Sequence, residues 1–120
     1  MSSYQSGVKA PGPLESIEFA TLCFYNHFYV NAGAQKPTSF QTITKITEEL
    51  GELAATISKH KDKEKQEEEF GDVLVTAIMH GINSEYSLNR VSKYIIKKLE
   101  DRRTQCIVKD GMIIKKKDLQ

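Results

Sequence analysis

Apolar residues recur at intervals of three and four positions through most of the chain, which is the spacing of amphipathic helices. The pattern predicts four helices, with approximate bounds Leu14 to Ala32, Ser39 or Thr42 to His60, Glu64 to Asn83, and Ser87 to Thr104. Gly33 and Pro37 end the first helix, and Asn83 and Ser84 provide stop and cap chemistry after the third. The sequence therefore predicts an all-α fold.

Each of the last three helices carries one apolar stripe that we expect to face inward. The second helix has the strongest signal, and its stripe consists of Ile43, Ile46, Leu50, Leu53 and Ile57. The corresponding positions of the third helix are Phe70, Leu74, Ala77, Ile78 and Gly81, and those of the fourth are Leu88, Val91, Ile95 and Leu99. Four such helices predict a bundle-like arrangement.

The two ends of the chain differ from this helical middle. Residues 1–13 contain two of the glycines and two prolines and show no period, so we expect a flexible leader there. After a helical domain over residues 14–104, residues 105–120 hold two short β-rich runs around Lys109, Asp110 and Gly111, followed by a polar tail. An Asp-Gly pair between two such runs favours a tight β-hairpin.

The length and net charge of the chain limit the classes of function that it can have. A chain of 120 residues is one domain by length, and 17 basic against 16 acidic residues give a net charge of +1. This balance offers no global attraction to a nucleic acid polymer or to an anionic membrane. We also see no apolar run near the roughly 18 residues that span a bilayer, no secretory signal, and no metal-type cysteine spacing. A cytoplasmic protein is expected.

Four carboxylates repeat one spacing on two consecutive helices. Glu49 and Glu52 lie about 60° apart on a flank of the second helix's stripe, and Glu69 and Asp72 repeat this arrangement on the third, taking about 100° per residue. Because two helices joined by a short connection pack antiparallel, these ridges can face one another. The spacing predicts that the four carboxylates converge.

Converging carboxylates repel one another, and no row of basic residues on these two helices obviously neutralises them. A hard cation such as Mg²⁺ or Mn²⁺ solves this, and Mg²⁺ is commonly shared between carboxylates and phosphates. A di-iron site of the ferritin kind is disfavoured, because neither pair has the Glu-x-x-His spacing. The alternative is that each pair belongs to a solvated helix surface, as Glu67 and Glu68 do.

These residues resemble a known signature. Glu48, Glu49 and Glu52 form the motif Glu-Glu-x-x-Glu within the segment KITEELGELAA. Glu69 and Asp72 follow as Glu-x-x-Asp within the segment EEFGDVLV. The whole is similar to the MazG-like all-α nucleoside triphosphate pyrophosphohydrolases over about Phe40 to Arg103. The resemblance implies Mg²⁺-assisted cleavage between the α and β phosphates, giving a monophosphate and pyrophosphate.

The same resemblance implies roles for individual residues. Glu49, Glu52, Glu69 and Asp72 correspond to the metal ligands. Glu48 corresponds to the first glutamate of the motif, and we expect it to support the ligands or the attacking water, so that Glu48 and Glu49 are the catalytic candidates.

The candidate substrate contacts lie on the first and fourth helices. Lys98 and Arg102 border the stripe of the fourth helix about 40° apart and are the candidate phosphate contacts, with Lys97 and Arg103 as rivals. The alternative is that these basic residues have no ligand and only stabilise the C-terminal end of the helix through the helix dipole. On the first helix, Asn26 and His27 are the candidates for contacting the base, whereas we expect Phe24 and Phe28 to pack.

The leading hypothesis is a nucleotide pyrophosphohydrolase, with house-cleaning of noncanonical nucleotides as one role. The alternatives are a phosphoribosyl-ATP pyrophosphohydrolase and a non-enzymatic helical module that binds nucleotide or protein. A chain this small with several apolar stripes is expected to form a homodimer or homotetramer, through the aromatic residues of helix one and the hairpin from Cys106 to Ile114.

Overall fold

The computed structural model describes residues 10–119, so most of the expected leader, residues 1–13, lies outside the described residues. The described chain contains four α-helices followed by a two-stranded hairpin, which confirms the all-α prediction. The helices are α1 (Pro13–Asn26), α2 (Ser39–Ser58), α3 (Lys63–Asn83) and α4 (Leu88–Gln105). The main departure is in the first helix, which continues after α1 as a π-helical turn (His27–Asn31).

The helices start where side chains can satisfy their first backbone N–H groups. At α2, Thr38 Oγ1 accepts from the N–H of Gln41 at 3.1 Å, and Gln41 Oε1 accepts from the N–H of Thr38 at 2.8 Å. This reciprocal pair is a capping box. Asp62 accepts from the N–H of Lys65 at the start of α3, and Ser87 caps α4 in the same way. Local chemistry therefore fixes three of the helix starts.

The C-terminal hairpin follows the Asp-Gly prediction. Strands β1 (Cys106–Lys109) and β2 (Met112–Lys115) are antiparallel. Asp110 and Gly111 both have positive φ, 52° and 78°, as a two-residue type I′ turn requires. A 3₁₀ turn (Lys116–Leu119) follows β2.

The described residues group into two compact units, one reaching to Glu85 and the other starting at Tyr86. In the first unit, α3 packs against both α1 and α2. The Tyr25 hydroxyl donates to Asn83 Oδ1 at 2.8 Å, and Asn83 Nδ2 donates to the carbonyl of Pro37 at 2.8 Å. One amide therefore ties α1 and the segment before α2 to the end of α3.

Apolar side chains are poorly covered within the single chain. Among residues 10–119, Tyr25 is the only hydrophobic residue in the buried class. The stripe of α2 is divided, since Ile46 and Leu53 are half-buried whereas the remaining three positions are 46%, 53% and 51% exposed, namely Ile43, Leu50 and Ile57. The expectation that this stripe faces inward therefore holds in the single chain only for Ile46 and Leu53.

The second unit shows the same feature. Val91, Ile95 and Leu99, which were expected to face inward from α4, are all exposed. None of the described helices is both long enough and apolar enough to cross a bilayer.

Candidate metal centre

The candidate site lies between α2 and α3, which run antiparallel. Two contacts near the start of α2 and the end of α3 set their alignment. Ser39 Oγ lies 2.9 Å from Ser84 Oγ, and Thr42 Oγ1 lies 2.7 Å from His80 Nδ1. Thr42 and His80 are both buried, so this contact is fixed by the surrounding packing. The alignment determines which acidic residues of the two helices meet.

Three carboxylates meet across this helix pair. Glu49 of α2 and Glu69 and Asp72 of α3 each offer one oxygen, and these oxygens all lie within 4.8 Å of one another. Glu49 is buried, Glu69 is half-buried and Asp72 is exposed. We call Glu49, Glu69 and Asp72 the carboxylate cluster. It has a closed side at Glu49 and an open side at Asp72, the arrangement needed for a site that a ligand enters from solvent.

Two lysines one helical turn before the glutamates partly neutralise the cluster. Lys45 Nζ lies 3.2 Å from Glu49 Oε1, and Lys65 Nζ lies 3.2 Å from Glu69 Oε1. Hydrogen bonding to Glu49 raises the pKa of Lys45, and hydrogen bonding to Glu69 raises that of Lys65. The expectation that no row of basic residues on these helices neutralises the acids is therefore wrong for Glu49 and Glu69. The Lys-x-x-x-Glu spacing, which is readable in the sequence, could have indicated both pairs.

Each lysine satisfies only one oxygen of its glutamate. Glu49 Oε2 and Glu69 Oε2 are buried, and neither has a hydrogen-bond partner among the described residues. A buried carboxylate oxygen without a partner is unfavourable by a few kcal/mol, more than a neutral group would be. Two such oxygens on facing helices are the observation that distinguishes this cluster from a solvated acidic surface.

Glu52 lies beside the cluster on the exposed side of α2. The negative charge of Glu49 raises the pKa of Glu52 above its ordinary value, and the charge of Glu69 acts in the same direction. Glu52 therefore lies close enough to carboxylates of both helices for their charges to act on it. Glu48 is not one of the three cluster residues; it is exposed and lies 3.4 Å from Lys45, the lysine that also contacts Glu49.

The donor set fits a hard divalent cation. Carboxylate oxygens are the ligands that Mg²⁺ and Mn²⁺ prefer, and Glu49 Oε2 and Glu69 Oε2 are two such oxygens without a hydrogen-bond partner among the described residues. The residues placed to hold the ion are Glu49, Glu69 and Asp72, with Glu52 adjacent. Part of the predicted ligand set is thus brought together, and the role of its members as ligands stays a prediction.

The predicted phosphate contacts lie in the second unit. Lys98 and Arg102 of α4 line a shallow cavity of about 310 Å³ together with Lys97 and Lys115. Lys97 is paired with Asp101 at 3.1 Å, so its charge is already partly neutralised. Lys115 of β2 is the basic residue here that the sequence did not indicate, because only the hairpin brings it beside α4.

The predicted base contacts lie at the end of α1. Asn26 is half-buried, and His27 is exposed with its ring edge-on to Phe28 at 4.7 Å between centroids. Phe24 and Phe28 contact each other edge-on at 5.1 Å but are both exposed, unlike the packed residues expected there. The structure leaves the role of Asn26 and His27 as a prediction.

Comparison with known proteins agrees with this geometry. A family model described as the MazG nucleotide pyrophosphohydrolase domain matches residues 37–107, which include α2, α3, α4 and the whole carboxylate cluster. No curated protein and no solved structure matches the chain.

Proposed function

Because this chain belongs to the MazG nucleotide pyrophosphohydrolase domain family, we propose that it hydrolyses a nucleoside triphosphate between the α and β phosphates. Water adds across the Pα–O–Pβ bridge, so that one phosphorus gains the water oxygen and the other keeps the bridging oxygen. The products are a nucleoside monophosphate and pyrophosphate. The observation that carries the proposal is the pair of buried, partnerless oxygens on Glu49 and Glu69.

We assign Mg²⁺, with Mn²⁺ as a substitute, to the carboxylate cluster. When bound, the cation supplies charge neutralisation and Lewis-acid polarisation of the phosphates. Glu49 is the buried anchor of the site, and Asp72 is the exposed ligand at its entrance. Glu48, exposed and paired with Lys45, is assigned a supporting role in orienting the attacking water.

Cations near the cluster would hold the remaining phosphate charge. Lys59, Lys61 and Lys65 line a cavity of about 240 Å³ whose wall also includes Glu52 and Glu69. We call it the lysine cavity. It lies in the same unit as the cluster, so it supports a phosphate-binding role there. The phosphate-binding role of Lys98 and Arg102 stays a prediction.

The reaction is tested by product identification. We expect that incubation of the purified protein with a panel of NTPs and dNTPs and Mg²⁺ releases monophosphate and pyrophosphate, and that chelation of the metal stops release. Ion-exchange chromatography separates these products from diphosphate and orthophosphate. Release of orthophosphate alone would contradict the assigned bond. Turnover of phosphoribosyl-ATP alone would assign the alternative substrate, and a stable nucleotide complex without products would indicate a binding module.

We also propose that the protein is a homo-oligomer in the cytoplasm, with removal of noncanonical nucleotides as its role. Three exposed residues, Ile43, Leu50 and Ile57, are spaced seven apart on α2 and form an apolar seam on a helix that already uses another face against α3. Seven-residue spacing is the pattern by which one helix packs against another. A second copy of the chain is the proposed partner of this seam.

A further inference from the structure

Three features follow one another along the groove between α2 and α3. The lysine cavity lies near the end of α2 and the start of α3, and the carboxylate cluster lies in the middle. A second cavity, of about 330 Å³, lies near the start of α2 and the end of α3. We call this the Gln41 cavity. An elongated ligand lying in the groove would meet all three in order.

The Gln41 cavity lies directly beside the cluster. Lys45 lines it, and the same lysine contacts Glu49 Oε1 at 3.2 Å. Thr76 lines it as well, and its hydroxyl donates to the backbone carbonyl of Asp72, one turn earlier, at 2.9 Å. Two residues of the cluster therefore have their neighbours in the cavity wall.

The walls of this cavity suit a flat, apolar ring. Phe24 of α1, Tyr29 of the π-helical turn and Met79 of α3 all line it. Cavities of this size and composition, with a few polar groups, are typical of small-molecule sites. Aromatic side chains stack on nucleobases regardless of the base, because every base has a π-face. Discrimination between bases must then come from a polar group of the wall.

Gln41 is a polar group of that wall whose orientation is fixed. Its Oε1 accepts from the N–H of Thr38 at 2.8 Å, and because a backbone N–H can only donate, the oxygen of the amide must be the atom on that side. Its Nε2, which carries two N–H donors, is the other half of the same amide. Gln41 can therefore offer the cavity a donor, with its acceptor already used in the cap.

We propose, on the basis of the proposed function, that the Gln41 cavity receives the base of the nucleotide and that Gln41 favours bases presenting a carbonyl oxygen over those presenting an amino group. Uracil, thymine and guanine carry a carbonyl where cytosine and adenine carry an amino group. A donor facing an amino group leaves both unpaired, which disfavours binding.

The positions along α2 agree with this orientation. Gln41 and Glu49 are separated by about 12 Å along the helix at 1.5 Å per residue, a span that the base and sugar of a nucleotide together can bridge. With the base at Gln41, the α phosphate reaches the cluster and the β and γ phosphates lie toward Lys59, Lys61 and Lys65. The order of the Gln41 cavity, the carboxylate cluster and the lysine cavity along the groove thus agrees with cleavage between the α and β phosphates.

Gln41→Glu tests the selection. The capping box is kept, because a Glu at this position accepts from Thr38 equally well, while the donor becomes an acceptor. We expect the ratio of kcat/KM for dUTP over dCTP to exceed 1 in the wild type and to fall at least about 10-fold in the variant, the scale of one polar group. The added negative charge affects both nucleotides alike and cancels in the ratio. An unchanged ratio, or a wild-type preference for dCTP, would overturn the proposal.

Met79→Trp tests the location, with Met112→Trp in the exposed hairpin as the matched control. We expect Met79→Trp to weaken binding of the non-hydrolysable α,β-imido-dUTP at least about 10-fold and to leave binding of inorganic tripolyphosphate, which has no base, unchanged. Equal loss of both ligands, or no loss of either, would place the base elsewhere. Because this binding assay needs no turnover, failure of the proposed hydrolysis shows separately, as a wild type that releases no pyrophosphate.

Discussion

Replacing Glu49 by Gln is expected to lower kcat/KM for nucleotide hydrolysis by at least about 100-fold, the scale associated with loss of one preorganised electrostatic group. The amide keeps the volume of the side chain but removes the negative charge that pairs with Lys45 and faces Glu69 and Asp72. The measurement is pyrophosphate release at saturating Mg²⁺. Since Glu49 is buried, the folded state of the variant must be checked by circular dichroism.

Glu67→Gln is the matched control for this experiment. Glu67 is exposed on α3 and lies outside the carboxylate cluster, so the same chemical change should leave activity within about twofold of wild type. A well-folded Glu49→Gln protein with wild-type activity would refute the role of the cluster. Equal losses in the two variants would show a general effect of charge, unrelated to the site.

Leu50→Glu is expected to dissociate the oligomer and to lower stability markedly. Burial of a leucine contributes about 1.5–3 kcal/mol, and placing a charge in a closely packed interface adds a further penalty. Each interface formed by two copies of the seam loses this contribution twice. Light scattering after size-exclusion chromatography should show a monomer, and the melting temperature should become lower and no longer depend on protein concentration.

Thr44→Glu serves as the control for this substitution. Thr44 is exposed on α2 but does not belong to the seam of Ile43, Leu50 and Ile57. We expect this variant to keep the wild-type mass in solution. A wild type that is monomeric at all accessible concentrations, or a Leu50→Glu protein with unchanged mass, would contradict the proposed partner of the seam.

Helices and turns were predictable because their signals are local. The three- and four-residue period of α2, the capping residues Thr38 and Ser87, and the Asp110-Gly111 pair each act within a few positions of the chain. The π-helical turn after α1 has no such signal, since the residues of that segment suit an α-helix equally well. Sequence reasoning therefore extended the first helix without a break.

The convergence of carboxylates from α2 and α3 could be predicted, but the contacts around these carboxylates could not. Repeated acidic spacing on adjacent helices indicated that the ridges face one another, and the structure brings Glu49, Glu69 and Asp72 together. The ion pairs of Lys45 with Glu49 and of Lys65 with Glu69 were not predicted, although their Lys-x-x-x-Glu spacing is a local signal. Which oxygen each lysine leaves without a partner depends on side-chain positions that no sequence pattern encodes.

Which surface packs against each apolar stripe was the feature predicted least well. Periodicity identifies which face of α2 or α4 is apolar, but it does not say whether another helix of the same chain or of a second copy covers that face. Leu50 and Leu99 are both exposed although both sit in regular stripes. The same limit applies to the Gln41 cavity, whose wall combines residues from three separate segments of the chain.

Crystals grown with Mn²⁺ would show most directly whether α2 and α3 jointly hold a divalent cation. We expect an anomalous difference peak within bonding distance, about 2.0–2.6 Å for hard cations on oxygen, of carboxylate oxygens from both Glu49 and Glu69, with Asp72 completing the protein ligands. A peak held by residues of one helix alone, or no peak between these helices at saturating Mn²⁺, would contradict it.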